Sequence, residues 1–470
     1  MKKPGKIIFT FTMLLLLLAG SLFPASARFN SLLKDVPKLT GVSEVLLLQS
    51  LDDGSVIFSK NENQRCAPAS LTKVVTAILV LEKCGDLSEV VTVKDYCIEY
   101  FYGLDSSNAG IRIGERLTVE QLLYCMLLPS ANEAALILAD HFAGSWMAFV
   151  EEMNEFARGL GCRDTHFSNP HGLDDEVHGL GDGGHYTTAA DMALITGYAL
   201  RREFKGNAVF EKIVNTRNYD IPPTNMRDKR SLVNTNKMLN RFYPDYYSAD
   251  ISGVKTGNTD LAGNCIIARA SRAGFHYLCV VMRGQNMDKP GADYQVNTAM
   301  VDAKAMLDWA FDHIQYCRVA DPDKAVTEIP VDMARNADHV QLVPIEAISA
   351  FVPVGVDSGS VLIEPVLDTM PEKLIAPVDK GRDYGIEASI KYAGEEFARV
   401  KLVPASDISR SATMYLVSLA KQAARMLIIR VLLALVLLVA VIYLLSLYLQ
   451  KRRKRRDRQL RVLPNIDNRH

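Results

Sequence analysis

At 470 residues the chain has room for two or three domains and a large core, and its 49% apolar and 23% charged content excludes a disordered polymer. Its formal net charge of −1 is unevenly laid out: the residues from Lys451 onward carry +7 and the first 27 carry +3, which leaves −11 for the body between them. So acidic a body lacks the basic surface that nucleic-acid binding requires, and no nucleic-acid partner is expected.

Lys2, Lys3 and Lys6 precede an apolar run that includes five leucines at 14–18, and Ala25-Ser26-Ala27 follows. This three-part pattern predicts a secretory signal peptide over 1–27. Apolar runs at 44–51 and 56–58 around Asp53-Gly54 predict a β-hairpin. The stretch Pro68-Ala69-Ser70-Leu71-Thr72-Lys73, continued by the apolar 74–81, reads as the start of a buried helix. Residues three apart share a helical face, about 5–6 Å between Cβ atoms, so the Ser70 hydroxyl and Lys73 amine can meet. A serine hydroxyl becomes a competent nucleophile when a neighbouring base takes its proton. Taken alone, the same four residues also fit an N-cap serine and a solvated lysine.

Helical period over 117–128 ends at Pro129-Ser130-Ala131-Asn132, where a new helix opens with Glu133. Further helices are predicted over 146–160, 188–200 and 298–313, with a loop-rich stretch over 162–186. Strands are predicted at 251–257, running through Lys255-Thr256-Gly257 into a turn, and at 265–270 and 276–282. Strands at both ends of this segment with helices between them imply an α+β fold whose sheet joins distant parts of the chain. From residue 317 to 408 short β-like runs punctuated by Pro, Gly and Asp predict a small β domain. Residues 409–430 form a helical lead-in, and 431–449 are nineteen uncharged residues, long enough to cross a membrane. The basic run at 451–456 then places the 450–470 tail in the cytoplasm, with the large domain outside the cell membrane.

The eight cysteines are irregularly spaced with no Cys-x-x-Cys pair, which argues for buried thiols rather than zinc ligands. His166, His171, His178 and His185 are too loosely set for metal ligation, and His171 is assigned to shaping the substrate cleft. Gly179-Leu180-Gly181-Asp182-Gly183-Gly184 fits a dinucleotide-loop pattern, but without a preceding strand it reads as a loop near the site. No cofactor and no metal are expected.

Three short motifs therefore stand in one order: Ser70-x-x-Lys73, Ser130-Ala131-Asn132 and Lys255-Thr256-Gly257. Together they are the set found in penicillin-recognising acyl-transfer enzymes. The chain resembles the low-molecular-mass penicillin-binding proteins, the D-alanyl-D-alanine carboxypeptidases. The likeness runs over about residues 28–406 and includes Ser168-Asn169-Pro170-His171-Gly172, His185-Tyr186-Thr187-Thr188, and Asn234-Thr235-Asn236.

The resemblance implies a penicillin-binding, serine β-lactamase-like catalytic domain over 28–316, with an antiparallel sheet flanked by helices and an all-helical region. It implies a penicillin-inhibited hydrolase that removes the terminal D-alanine of peptidoglycan stem pentapeptides through a Ser70 acyl-enzyme. Lys73 would be the base, and Ser130 would pass a proton to the leaving amine. Asn132 would hold the substrate amide, with Lys255, Thr256 and Gly257 along the substrate carboxylate. The backbone of Asn258 would share the oxyanion with Ser70.

The sequence departs from the family pattern at Ala131, where glycine is common, and at Ser252, where aspartate is common. The family's carboxylate-gripping arginine has no clear counterpart, although Arg283 and Lys289 are near. The family also typically ends in an amphipathic helix, whereas 431–449 reads as a span. A serine β-lactamase is the nearest rival, but no Glu-x-x-Leu-Asn element follows Ser130 to hold a deacylating water. The sequence also admits a D,D-endopeptidase, or a non-catalytic wall-binding scaffold that keeps the fold.

Overall fold

The computed structural model describes residues 41–460 apart from 176–178, 182–183, 357 and 393, and the backbone alone at 358, 395 and 457–460. The segment assigned as a signal peptide, His178 and the end of the basic tail lie outside the described residues. The described residues divide into two compact units: one is 41–317 with 349–361 and 392–398, the other 318–348, 362–391 and 399–460.

The first unit is built on a five-stranded antiparallel sheet. Strands β1 (Val45–Ser50) and β2 (Val56–Lys60) form the expected hairpin, and β3 (Ile251–Thr259), β4 (Gly263–Arg272) and β5 (Phe275–Gly284) complete the order β2-β1-β5-β4-β3. Leu48 pairs with Cys279 and Lys255 with Ile267, so strands some two hundred residues apart share one ladder. The pairing leaves β3 on an edge. Its register shifts between Ile251 and Val254, and the Asn236 side chain donates to the Gly253 carbonyl there at 3.1 Å.

The helices cluster around α1 (Lys73–Lys83), whose residues Lys73 through Leu81 are all buried. A helix that is apolar on every side belongs in the middle of a core. Around it stand α2 (Val119–Leu127), α3 (Asn132–Ala143), α4 (Trp146–Gly159), α5 (Ala189–Ala199) and α6 (Asn207–Val214), and α7 (Thr298–His313) packs on the sheet. Most starts are fixed by side-chain caps. Ser145, Thr188 and Asn297 each accept a backbone N–H in the first turn of the helix that follows.

The helix expected from 117 begins two residues later. Arg116–Thr118 pairs with Val90–Thr92 as a short hairpin, and Thr118 with Gln121 makes a reciprocal capping box that opens α2 at Val119. Helix α6 and the hairpin of Asn218–Ile221 with Arg230–Val233 are not among the elements predicted from sequence.

A six-stranded sheet follows in the chain: β6 (Thr327–Asp332), β7 (His339–Pro344), β8 (Leu362–Pro365), β9 (Leu374–Ile375), β10 (Ile386–Tyr392) and β11 (Glu395–Pro404) stand in the order β8-β10-β11-β7-β6-β9. Alternating residues such as Ile329, Leu342, Ile390 and Leu402 fill its core. Helix α8 (Ala412–Leu460) follows as one run of 49 residues. Its stretch Ala412–Arg456 is long and apolar enough to cross a membrane, and is the one such helix among the described residues.

None of the eight cysteines, all among the described residues, forms a disulfide; six are buried and Cys162 and Cys317 are half-buried.

Candidate active site

The site is assembled where the sheet edge meets the start of α1. Ser70 does not lie in the α-helix itself. It occupies a single 3-10 turn, Ala69–Thr72, and the α-helix begins at Lys73. In a 3-10 turn the side chains at i and i+3 eclipse one another, which brings the Lys73 amine to 2.8 Å from Ser70 Oγ. The turn starts from Ala69 at φ +47°, a left-handed conformation unusual for a residue with a Cβ.

Lys73 is fully buried, and its Nζ has two further partners, Asn132 Oδ1 at 2.6 Å and the His171 carbonyl at 2.5 Å. Its pKa is held well below the ordinary lysine value, first by burial and then by the positive charge of Lys255, while Glu133 pulls the other way. The partner set also suits a neutral amine. As placed, Nζ donates to Ser70 Oγ and to the two carbonyl oxygens; once the amine is neutral, two N–H groups suffice for the carbonyls and its lone pair can face the Ser70 hydroxyl.

The Ser130-Ala131-Asn132 corner is the turn between α2 and α3. Ser130 has φ +68°, and its hydroxyl is buried with no hydrogen-bond partner among the described residues. Asn132 opens α3, and its own N–H donates to the Ser107 carbonyl at 2.9 Å. Next to it the buried Glu133 accepts from the Ala109 N–H at 2.7 Å, and burial raises its pKa. The loop over 107–109 is thus fastened to the start of α3.

Strand β3 brings the third motif. Lys255 is buried, its Nζ donates to the Thr256 carbonyl at 2.8 Å, and burial lowers its pKa to about 7. Thr256 Oγ1 lies 2.6 Å from Thr235 Oγ1. Gly257 passes so close to the 3-10 turn that a Cβ there would sit 3.0 Å from Ala69 Cβ and 3.2 Å from the Ser70 nitrogen. Asn258 turns its side chain to Asn264 Oδ1 at 2.7 Å.

Ser70, Lys73 and Asn132 are therefore joined directly, Gly257 lies against the same turn, and Lys255 acts on Lys73 through its charge. His171, assigned to shaping the substrate cleft, contributes both its backbone and its ring. Its carbonyl holds Lys73, while its ring is buried against Tyr100 and Phe101 with centroids 5.6 and 5.2 Å away. The two basic residues considered as carboxylate grips are engaged elsewhere, Arg283 with Glu44 and Lys289 with Asp245. Sequence reasoning misses the parts played by Thr72, Gly172, His185, Glu133 and Thr235. It singles out only the segments 168–172, 185–188 and 234–236, with no role beyond the cleft-shaping given to His171.

The fold is that of penicillin binding protein 5 from Haemophilus influenzae, at a TM-score of 0.59 and 24% identity over 80% of this chain and all of that one. The DD-transpeptidase of Streptomyces K15 is also similar, with a TM-score of 0.50 and 26% identity over 59% of this chain and 99% of its own. A penicillin-binding fold with a serine beside a buried amine defines the class as a serine-type hydrolase. The D-alanyl-D-alanine carboxypeptidase family matches residues 35–286, more than half of the chain. The chain belongs to that family. Its relatives include the D-alanyl-D-alanine carboxypeptidase DacF of Bacillus subtilis, 28% identical over 80% of this chain and 89% of that one. DacA of Escherichia coli is 30% identical over 60% of this chain and 64% of that one.

Proposed function

We propose that the protein removes the terminal D-alanine from peptidoglycan stem pentapeptides, with Ser70 as nucleophile, and that β-lactams acylate the same residue. The observation that carries the reading is the 2.8 Å contact between Ser70 Oγ and the amine of Lys73, a fully buried lysine whose pKa is held well below the ordinary value by burial and by Lys255. Neutral Lys73 takes the hydroxyl proton as Ser70 attacks the carbonyl between the two D-alanines. The tetrahedral oxyanion rests on the backbone N–H groups of Ser70 and Asn258. The proton passes through Ser130, whose hydroxyl has no other partner among the described residues, to the departing D-alanine amine. Water then releases the shortened peptide from Ser70 and restores the hydroxyl. Lys255 and Thr256 receive the terminal carboxylate, Asn132 and Gly257 line the peptide, and the open edge of β3 offers it backbone partners.

The catalytic domain is assigned to 28–316, a β domain to 317–408, and a single membrane crossing to 431–449 inside α8. This puts the catalytic domain outside the membrane and the basic tail in the cytoplasm, in keeping with the positive charge that follows the span.

Intact-mass measurement after penicillin exposure tests the reading. A single slow-clearing adduct on Ser70 is expected, with D-alanine release from a pentapeptide abolished in Ser70→Ala. A rapidly cleared adduct would instead indicate a β-lactamase, and no adduct a non-catalytic scaffold. Release that persists in Ser70→Ala would remove Ser70 as the nucleophile.

A further inference from the structure

A second line of hydrogen bonds reaches the Ser70 turn from elsewhere in the chain. The Ser168 N–H donates to His185 Nδ1 at 2.9 Å. With Nδ1 accepting, the neutral ring carries its proton on Nε2, and Nε2 lies 2.9 Å from Thr72 Oγ1. The Thr72 hydroxyl in turn donates to the Ala69 carbonyl at 2.8 Å. Every donor and acceptor role along this line is fixed, so it runs in one direction, from Ser168 to Ala69. His185 and Thr72 are both buried, and burial holds the imidazole pKa down to about 3, so the ring stays neutral at any working pH.

The Ala69 carbonyl and the Ser70 N–H belong to one peptide unit. That unit is planar and trans, so its C=O and N–H point in opposite directions, and whatever fixes one aims the other. The unit is closely confined. Gly172 approaches the Ala69 oxygen so nearly that a Cβ would lie 1.9 Å from it, and one on Gly257 would lie 3.2 Å from the Ser70 nitrogen. Ser70 is the second residue of its helical segment, where an N–H has no carbonyl within the helix to bond. Ala69 holds a left-handed φ of +47° that its own side chain disfavours, so something outside it must keep the plane in place.

We propose that His185 is a positioning residue which, through Thr72 and the Ala69 carbonyl, sets the Ala69–Ser70 peptide plane and so aims the Ser70 N–H at the oxyanion. This rests on the reading of Ser70 as nucleophile. His185 touches neither substrate nor the reacting atoms. It acts on the rate of acylation and leaves the initial binding of substrate alone.

Two amide substitutions split the imidazole's two bonds. An asparagine amide reaches the place of Nδ1, so His185→Asn keeps the bond to Ser168 and loses the one to Thr72. A glutamine amide reaches the place of Nε2, so His185→Gln does the reverse. The measurement is the first-order acylation rate at saturating penicillin in the full-length chain, together with the half-saturating concentration. Removal of an oxyanion donor slows acyl transfer by about 10²–10³, and a misaimed donor retains part of that. His185→Asn should therefore be slower by about tenfold or more and His185→Gln by less than about threefold, both with unchanged half-saturation.

Thr72→Val should match the loss in His185→Asn, and Thr72→Ser should retain the parent rate. This second pair decides the matter if either histidine variant fails to fold. Equal rates within each pair overturn the proposal. So does a fast His185→Asn beside a slow His185→Gln, which would mean that the ring merely holds the 168 loop. A parent chain that takes no adduct on Ser70 overturns the reading of the nucleophile, and this proposal with it.

Discussion

A lysine that serves as a base must lose a charge its solvated form keeps, and Lys73 is placed to do so. Burial contributes most, and the neighbouring Lys255 adds repulsion. Replacing Lys255 with methionine removes that repulsion, so the Lys73 pKa should rise, and the acid limb of the penicillin acylation rate should move to higher pH. A limb that stays in place or moves down would show that the two amines do not interact. The same variant has a stability consequence. Lys255 titrates near 7 in the folded protein, against about 10.4 unfolded. The unfolded chain therefore binds more protons between those values, and the penalty is complete below pH 7 and fades as pH rises toward 10.4. Lys255→Met should melt higher than the parent at pH 6, with the difference shrinking at pH 10. At this scale the sequence was informative wherever chemistry fixes a short spacing, as for Ser70 with Lys73 or Ser130 with Asn132. His185 and Thr72 are 113 positions apart, and Thr235 and Thr256 meet by side chains 21 apart. No local pattern reports such meetings.

Among the elements, the 3-10 turn before α1 depends on its neighbours more than on itself. Ala69 and Ser130 both sit at positive φ without being glycine, at about 1–3 kcal/mol each; Ala69 directly precedes one motif and Ser130 begins another. The segment at 169–172 clamps one side of that turn. Asn169 Oδ1 accepts from Gly172 N at 2.6 Å, and Thr76 Oγ1 donates to the Pro170 carbonyl at 2.7 Å. Gly172 itself has φ +93°, and a Cβ there would collide with the Ala69 oxygen. Gly172→Ala combines backbone strain with overpacking and should lose at least about 2 kcal/mol of stability, together with most of its penicillin reactivity. Denaturant unfolding measures this directly, and a variant as stable as the parent would show that the clamp is slack. Periodicity identified α4, α5 and α7 to within a residue or two, found the start of α3, and placed α1 although its α-helical part begins only at Lys73, after the 3-10 turn. It carried α2 too far because residues 117–118 continue the apolar pattern, while a hairpin and a capping box decide the boundary. Helix α6 has only eight residues, too short for its period to stand out.

For the whole molecule, the α+β class could be read from strands at both ends of a helical segment, but the edge position of β3 could not, because strand order depends on pairings between distant segments. The long C-terminal helix was legible from hydropathy alone. If it is the anchor, a chain ended after Ser411 should move from the membrane fraction to the soluble fraction and still form the Ser70 adduct. Continued sedimentation with membranes would place the attachment elsewhere. The cysteines have a practical consequence of a different kind. Burial pushes the Cys66 and Cys97 thiols up to about 11 and those of Cys125, Cys162 and Cys265 to about 12. Alkylating reagents attack the thiolate, so these five offer them almost no target at neutral pH while the protein is folded. Loss of structure would release these five reactive groups at once, and the chain thus contains its own chemical counter of denatured molecules, readable without any added label.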